Sequence, residues 1–444
     1  MRRVITYGTF DLFHEGHRRL LERARALGDY LIVGVTSSSY DNGRGKLNVR
    51  ESLVERIRNV ADSGLADEVT VEEYEGQKIH DIQRLDVDVF AIGSDWIGQF
   101  DYLGDYCEVV YLERTKGVSS TGLREAGGVI RMGVVGAGRI ARRFVSEARF
   151  VSGVSVEAVW TRRPEKARHF ADEFELQWAN ESYSDLLTHV DAVYIATPHE
   201  THVDLTRQAL EAGVHVLCEK PIALRVDDLE NLYALADERR LVLLEALKTA
   251  FSPGFQRMVA IARGGSIGTI RSVDATFTKL VRSGRELETS DAGALSELAS
   301  YPFLAIVKLL GTSPAAVTTR AITTDGVDTF ARVNVDYPQA IASATVGLGV
   351  KAEGDLVVAG TQGYVYVPAP WWLTEYFETR FEDPRDNRKF FYKFDGDGLR
   401  YELAEFISMI RDETSESFRL LREESLAIAA LMERSRSEFT SFGG

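Results

Sequence analysis

Cysteine is almost missing from this chain, with two residues, Cys107 and Cys218, in 444. They lie far apart in the apolar runs CEVVYL and VHVLCEK. That spacing excludes a disulfide framework and a zinc site, and predicts two reduced core residues. No apolar run approaches the roughly 20 residues that a membrane span needs. The polar start MRRVITYGTF lacks the apolar core of a signal peptide, so the expectation is a cytoplasmic protein with no membrane partner. Positive charge is in deficit: 52 Lys and Arg against 67 Asp and Glu leave a formal net charge of -15. This argues against a nucleic-acid partner and predicts basic groups that are local, placed where a phosphate must be held. Low-complexity tracts and internal repeats are lacking too.

What is present is alternation. At 444 residues the chain exceeds the size at which one core stops growing, so two or three domains are expected. Strand-like runs at VITY, DYLIVGV, DEVTVEE, DVDVFAIG and CEVVYL alternate with the helical patterns HRRLLERARALG and ESLVERIRNVADSG. This is the signature of a parallel sheet flanked by helices, and it predicts an α/β domain over residues 1–126. The Gly-Gly pair in REAGGVIR predicts a linker over 127–130. A second alternation, through IRMGVVGAG, VSVEAVWT, DAVYIAT, HVLCEKP and LVLLEA, predicts a Rossmann dinucleotide-binding domain over 131–251. Period-two stretches then take over, at IRSVDATFTKL, ARVNVDY, AIASATVGLGV and YVYVPA. They predict an α+β domain over 252–444 with an open, mostly antiparallel sheet, closed by a helical tail.

In GTFDLFHEGH a strand is expected to end at Gly8 and a helix to start near Gly16, which puts His14 and His17 at the helix N-terminus. Free backbone N–H groups and the positive end of the helix dipole favour a triphosphate there. Nucleotidyl transfer asks mainly for fixed donors that stabilise charge on the α-phosphate and the departing pyrophosphate, and two imidazoles three residues apart suit that task. Together with LLERARALGDYLIVGV, GSDWIGQFDYL and YLERTKGVSST, the stretch YGTFDLFHEGH resembles the glycerol-3-phosphate cytidylyltransferase family over residues 1–125. The resemblance implies a Rossmann-like nucleotidyltransferase fold. It implies that Gly8, Thr9 and Phe10 form the nucleotide loop with Asp11 toward substrate, that His14 and His17 grip the phosphates, and that Lys46 contacts substrate phosphate. Arg114, Thr115, Ser119 and Thr121 would hold the triphosphate, and Asp95 and Trp96 would shape the nucleotide and acceptor pocket. One position departs: Gly64 stands where the family has an arginine, so either Arg58 or another basic group takes over or the acceptor phosphate sits differently.

GVVGAGRIA supplies Gly136, Gly138 and Ala141 as a G-x-G-x-x-A fingerprint between a strand and a helix, with Arg139 and Ile140 opening that helix. The next strand ends in Thr161, Arg162 and Arg163 in place of the carboxylate usual for NAD(H), so NADP(H) is the expected cofactor. HVLCEKP and YIATPHETH resemble the glucose-fructose oxidoreductase and inositol dehydrogenase family, with the resemblance running from 130 to about 440. It implies that Thr197, Pro198 and His202 line the cofactor, and that Lys220 polarises the substrate and handles a proton, positioned by Glu219 and Pro221. Tyr301 stands where the family's other catalytic acid falls and Glu297 where its aspartate does. Lys248 is a candidate for a substrate phosphate.

The two resemblances together imply a bifunctional enzyme. The second half would reduce a small keto or aldehyde sugar, or its phosphate, with NADPH to the corresponding polyol or polyol phosphate. The first would couple that phosphate to CMP from CTP, accompanied by Mg2+, giving a CDP-alditol for a capsule or teichoic-acid type of polymer. An oxidoreductase acting on the CDP-linked product, or a non-catalytic Rossmann module, are the alternatives, and a homo-oligomer is expected by analogy.

Overall fold

The computed structural model describes all residues except 44, 75, 114–128, 282–283, 289–291 and 443–444. It divides into two compact units, Met1–Val190 and Asp191–Gly444. The first opens with β1 (Arg3–Gly8), β2 (Tyr30–Thr36), β3 (Glu68–Glu72), β4 (Val89–Gly93) and β5 (Glu108–Leu112). They form a parallel sheet ordered β3-β2-β1-β4-β5. Successive side chains of a strand face opposite ways, so Val4, Val33 and Val89 join one core while Ile5, Ile32 and Phe90 join the other. Burial on both faces explains why VITY and LIVGV read as unbroken apolar runs.

The same unit carries β6 (Ile130–Val135), β7 (Val154–Trp160) and β8 (Trp178–Ala179), paired in parallel. The second unit starts with β9 (Ala192–Ile195), β10 (His215–Glu219) and β11 (Leu243–Ala246), also parallel. The six strands take the order β11-β10-β9-β6-β7-β8, that of a doubly wound dinucleotide-binding fold.

A nine-stranded sheet follows. Its members are β12 (Ile270–Thr278), β13 (Ala316–Thr324), β14 (Val327–Tyr337), β15 (Ala340–Gly347), β16 (Leu356–Gly360), β17 (Gly363–Val367), β18 (Tyr376–Phe381), β19 (Arg388–Phe391) and β20 (Phe439–Phe442). The order is β19-β18-β17-β16-β12-β15-β14-β13-β20, antiparallel except at β12–β15 and β13–β20. Ala331, Val333 and Val335 are buried while Arg332, Asn334 and Asp336 are exposed, so one face meets the core and the other meets water. The helix Ser300–Leu310 packs on β12 and on the helix Arg422–Ser437.

Two expectations need adjustment. The chain closes on β20 beside β13, not on a helix; four residues are too few to leave a periodic signal. Both cysteines are free, but only Cys218 is buried; Cys107, at the start of the edge strand β5, is half-buried. Among the described residues no helix is long and apolar enough to cross a membrane.

Candidate active sites

Strand β1 delivers the chain into a loop whose backbone is strained: Phe10 and Leu12 take φ values of 53° and 48°, left-handed conformations that side-chain-bearing residues rarely adopt. Surrounding groups fix this loop. Asp11 Oδ1 accepts the backbone N–H groups of Arg50 (3.0 Å) and Glu51 (2.9 Å), and Glu51 Oε2 accepts that of Leu12 (2.8 Å). Arg56, wholly buried, donates through Nη1 to the carbonyls of Thr9 (2.7 Å) and Thr36 (2.8 Å). Its charge is met by Asp41 at 3.6 Å, and Asp41 in turn accepts the Thr9 hydroxyl at 3.0 Å.

The helix Glu15–Arg25 then begins on a reciprocal cap. His14 Nδ1 accepts the backbone N–H of His17, and His17 Nδ1 accepts that of His14, both at 3.4 Å. The two rings stack with centroids 3.7 Å apart. Gly16 is required by this packing, since a Cβ there would stand 2.9 Å from the His14 ring. Each Nδ1 is turned to a backbone N–H, which leaves each Nε2 as the ring's donor toward the cleft. Burial, followed by the charges of His14 and Lys46, pushes His17 well below the ordinary imidazole range and keeps it neutral. Gly8, Thr9, Phe10, Asp11, His14 and His17 line a cleft of about 780 Å³, to which Lys46, Asp95 and Trp96 also contribute.

At the second fingerprint Gly136 has a φ of 109° and donates its N–H to Trp160 O at 2.8 Å, making the tight turn that glycine permits. Gly138 caps the helix Arg139–Ala148 with no side-chain hydrogen bond, and a Cβ built on it would meet nothing within 4 Å. Open space over an uncapped helix start, with Arg139 and Ile140 as its first residues, fits a dinucleotide diphosphate. Thr161, Arg162 and Arg163 follow the end of β7, and both arginines are exposed.

In the second unit Lys220 follows β10, donates through Nζ to the Glu297 carbonyl at 2.9 Å, and lies 5.7 Å from the Tyr301 ring centre. Burial, with Glu219 and Glu402 adding to it, raises the Tyr301 hydroxyl above the ordinary phenol range, so it stays protonated. Glu219 accepts the Tyr194 hydroxyl at 2.5 Å, and burial raises its carboxyl above the ordinary value. His202 sits between the carbonyls of Pro221 (2.8 Å) and Thr197 (2.9 Å), tying the segment after Pro198 to the one after Lys220; burial lowers its pKa. Lys248 Nζ donates to Asp397 O at 2.6 Å.

Known proteins divide along the same lines. Residues 5–126 match a family described as cytidylyltransferase-like, 130–246 an oxidoreductase family with an NAD-binding Rossmann fold, and 255–366 the GFO/IDH/MocA C-terminal domain. Glycerol-3-phosphate cytidylyltransferase of Bacillus spizizenii is 50% identical over 125 residues, covering 28% of this chain and 96% of that protein. This chain is a glycerol-3-phosphate cytidylyltransferase family member fused to a GFO/IDH/MocA oxidoreductase. For the oxidoreductase half, an NADP(+)-dependent scyllo-inositol 2-dehydrogenase of Bacillus subtilis is 27% identical over 333 residues, covering 70% of this chain and 97% of that protein. The crystal structure of KijD10, a 3-ketoreductase from Actinomadura kijaniata in complex with NADP and TDP-benzene, superposes with a TM-score of 0.64 at 26% identity, covering 71% of this chain and all of that one.

In the cytidylyltransferase half every expected residue that the structure describes lines the one cleft; Arg114, Thr115, Ser119 and Thr121 lie outside the described residues. Gly64 and Arg58 do not line it, and Arg58 is exposed. Arg56 escaped the sequence reading. Its signal was an arginine on the apolar stripe Leu53, Ile57, Val60 of its helix. In the oxidoreductase half Lys220 and Tyr301 come together, and the Glu297 carbonyl accepts a hydrogen bond from the lysine. His199 was missed as well: it is buried, and its Nε2 lies 3.9 Å from Glu297 Oε2.

Proposed function

We propose that the oxidoreductase half reduces a small keto or aldehyde sugar, or its phosphate, and that the cytidylyltransferase half joins the resulting polyol phosphate to CMP. The product is a CDP-alditol, similar to CDP-glycerol, for a cell-surface polymer of the capsule or teichoic-acid type made by a cytoplasmic homo-oligomer. The observation that carries this reading is the fusion itself. A glycerol-3-phosphate cytidylyltransferase needs a phosphorylated polyol, and a ketoreductase is a direct source of one. The working division is 1–126 for transfer, 127–130 as linker, 131–251 for the dinucleotide, and 252–444 for substrate and oligomerisation.

In the transfer step an oxygen of the acceptor phosphate attacks the α-phosphorus of CTP, and pyrophosphate leaves. The Nε2 protons of His14 and His17 and the ammonium of Lys46 stabilise charge on the phosphates as it develops. Mg2+ arrives with CTP; among the described residues no cluster of acidic, histidine or cysteine side chains forms a cation site. In the reduction step the group held by Gly136, Gly138, Thr161, Arg162 and Arg163 is NADPH, whose contribution when bound is hydride. Arg162 and Arg163 would hold the 2'-phosphate that distinguishes it from NADH. Lys220 polarises the carbonyl oxygen and the Tyr301 hydroxyl donates the proton that completes the alcohol.

A second reading, in which the oxidoreductase works on the CDP-linked product, is favoured by the nucleotide-linked ligand in the KijD10 complex. Pyrophosphate release from CTP, measured across polyol phosphates with and without NADPH and the matching keto precursors, separates the two. If a keto precursor yields product only with NADPH present, reduction precedes transfer. If NADPH is consumed or formed only after a CDP-polyol has accumulated, the order is reversed. A chain that never turns NADPH over would leave the oxidoreductase half a non-catalytic module.

A further inference from the structure

We propose that the turn joining the helix Arg139–Ala148 to β7 is a working wall of the cytidylyltransferase cleft, and that Arg149 is a positioning residue for Trp96. The proposal rests on the transferase reading above. Contacts within the first unit carry it. The segment holding Lys46 is pinned by a short parallel bridge: Leu47 N–H donates to Phe150 O at 2.8 Å, and Ser152 N–H donates to Leu47 O at 2.9 Å. Lys46 Nζ itself donates to Arg149 O at 2.6 Å. On the other side Arg149 Nη1 donates to Asp95 O at 2.6 Å, and the guanidinium lies 4.9 Å over the Trp96 ring, which also meets Phe150 and Phe100, both at 5.9 Å. The Ser94 hydroxyl donates to Glu175, one residue past the helix Pro164–Glu173 and its C-cap Phe174.

The physical consequence is specific. The segments around Lys46 and around Asp95–Trp96 come from different β-strand ends and have little regular structure of their own, yet a phosphoryl-transfer site works only when its groups are held in place. A planar guanidinium can bond a carbonyl along its edge and stack on an indole with its face at the same time; a lysine cannot. Among the described residues the lysines and arginines lining the cleft are Lys46, Lys78 and Arg149, and Lys78 is ion-paired with Glu72. The Bacillus spizizenii transferase, 96% of which is spanned by 125 residues of this chain, has no length left for such a wall. Arg149 therefore belongs to the fused chain's version of the reaction, and it touches the pocket on the side where Trp96 stands.

The test is a double-mutant cycle on the full-length chain with Arg149→Ala, Trp96→Phe and the pair, alongside Arg149→Lys. Two readouts are taken: kcat and KM for pyrophosphate release with CTP and glycerol 3-phosphate, and the dissociation constant for CTP alone by calorimetric titration. Arg149→Ala is expected to raise KM or the CTP dissociation constant about tenfold with kcat less affected. Arg149→Lys should recover only part of the loss, and the pair should be no worse than the worse single variant. NADPH binding, measured on the same samples, should be unchanged and shows that the fold survives. Wild-type-like values for Arg149→Ala, or losses that multiply in the pair, overturn the proposal. If the wild-type chain releases no pyrophosphate, the transferase reading has failed with this acceptor. The CTP titration then still decides the role of Arg149 by the same cycle.

Discussion

At the scale of single residues the chemistry rests on side chains held by unusual means. His14 and His17 cap their own helix with their rings, so their orientation depends on the absence of a Cβ at position 16. Gly16→Ala pushes a methyl group into the His14 ring, and we expect a fall of about tenfold or more in the rate of pyrophosphate release, with NADPH turnover intact. His17 is partly buried and its pKa is depressed below the ordinary imidazole range, which links folding to pH. Its folded pKa is depressed, so the unfolded chain takes up a proton at about pH 6.5 that the folded chain refuses. The contribution of this residue to stability is therefore complete above that pH and declines as pH falls below it. Melting temperatures taken across this range should drop on acidification, and His17→Asn should flatten that slope. In the oxidoreductase half, Lys220→Met removes the group that bonds the Glu297 carbonyl and faces Tyr301. It should lower NADPH-dependent turnover by about 10²- to 10⁴-fold and leave CTP use unchanged; equal loss of both activities would contradict two separate sites.

At the scale of elements, the loop between β1 and its helix is set by a buried charge pair. Arg56 joins Thr9 to Thr36 and Asp41, two stretches that the sequence separates widely. Replacing it by methionine leaves those carbonyls and the Asp41 carboxylate without the guanidinium, and should cost about 3–5 kcal/mol, read as a lowered urea midpoint for the transition that includes the five-stranded sheet. The strands of that sheet were all legible, because central parallel strands are apolar on both faces. The edges of the nine-stranded sheet were not. The ends β19 and β20 have four residues each, and β16 owes its place to pairing between β12 and β17, not to a pattern of its own. The same contrast holds for the sites. His14, His17 and Gly136 announce themselves through spacing, since a phosphate loop or a dinucleotide turn is a local structure, and Lys220 through the resemblance of HVLCEKP to its family. Arg56, His199 and Arg149 do not, because what they touch lies many residues away and no local rule brings it near.

At the scale of the molecule, β6 separates two ends with different tasks. Val129 and Gly153 line the transferase cleft, and Ile130 N–H bonds Gly153 O at the start of the strand; Gly136, at its other end, makes the dinucleotide turn. The six residues of β6 span about 20 Å, so the two sites do not share a floor. A reduced intermediate should therefore equilibrate with solvent on its way to CTP. Labelled keto precursor supplied with NADPH, CTP and a large excess of unlabelled polyol phosphate should give a CDP product with its label diluted in proportion. Full retention of label would require an enclosed passage.

The bridge between Leu47 and Val151 also bears on how such a protein can be taken apart. A biochemist who trims the chain at the end of its recognisable transferase homology obtains a fragment with every signature motif and an open flank where Arg149, Phe150 and Val151 had stood. On the proposal above, a fragment that keeps this wall has to run on through Glu175, inside what sequence comparison assigns to the other half.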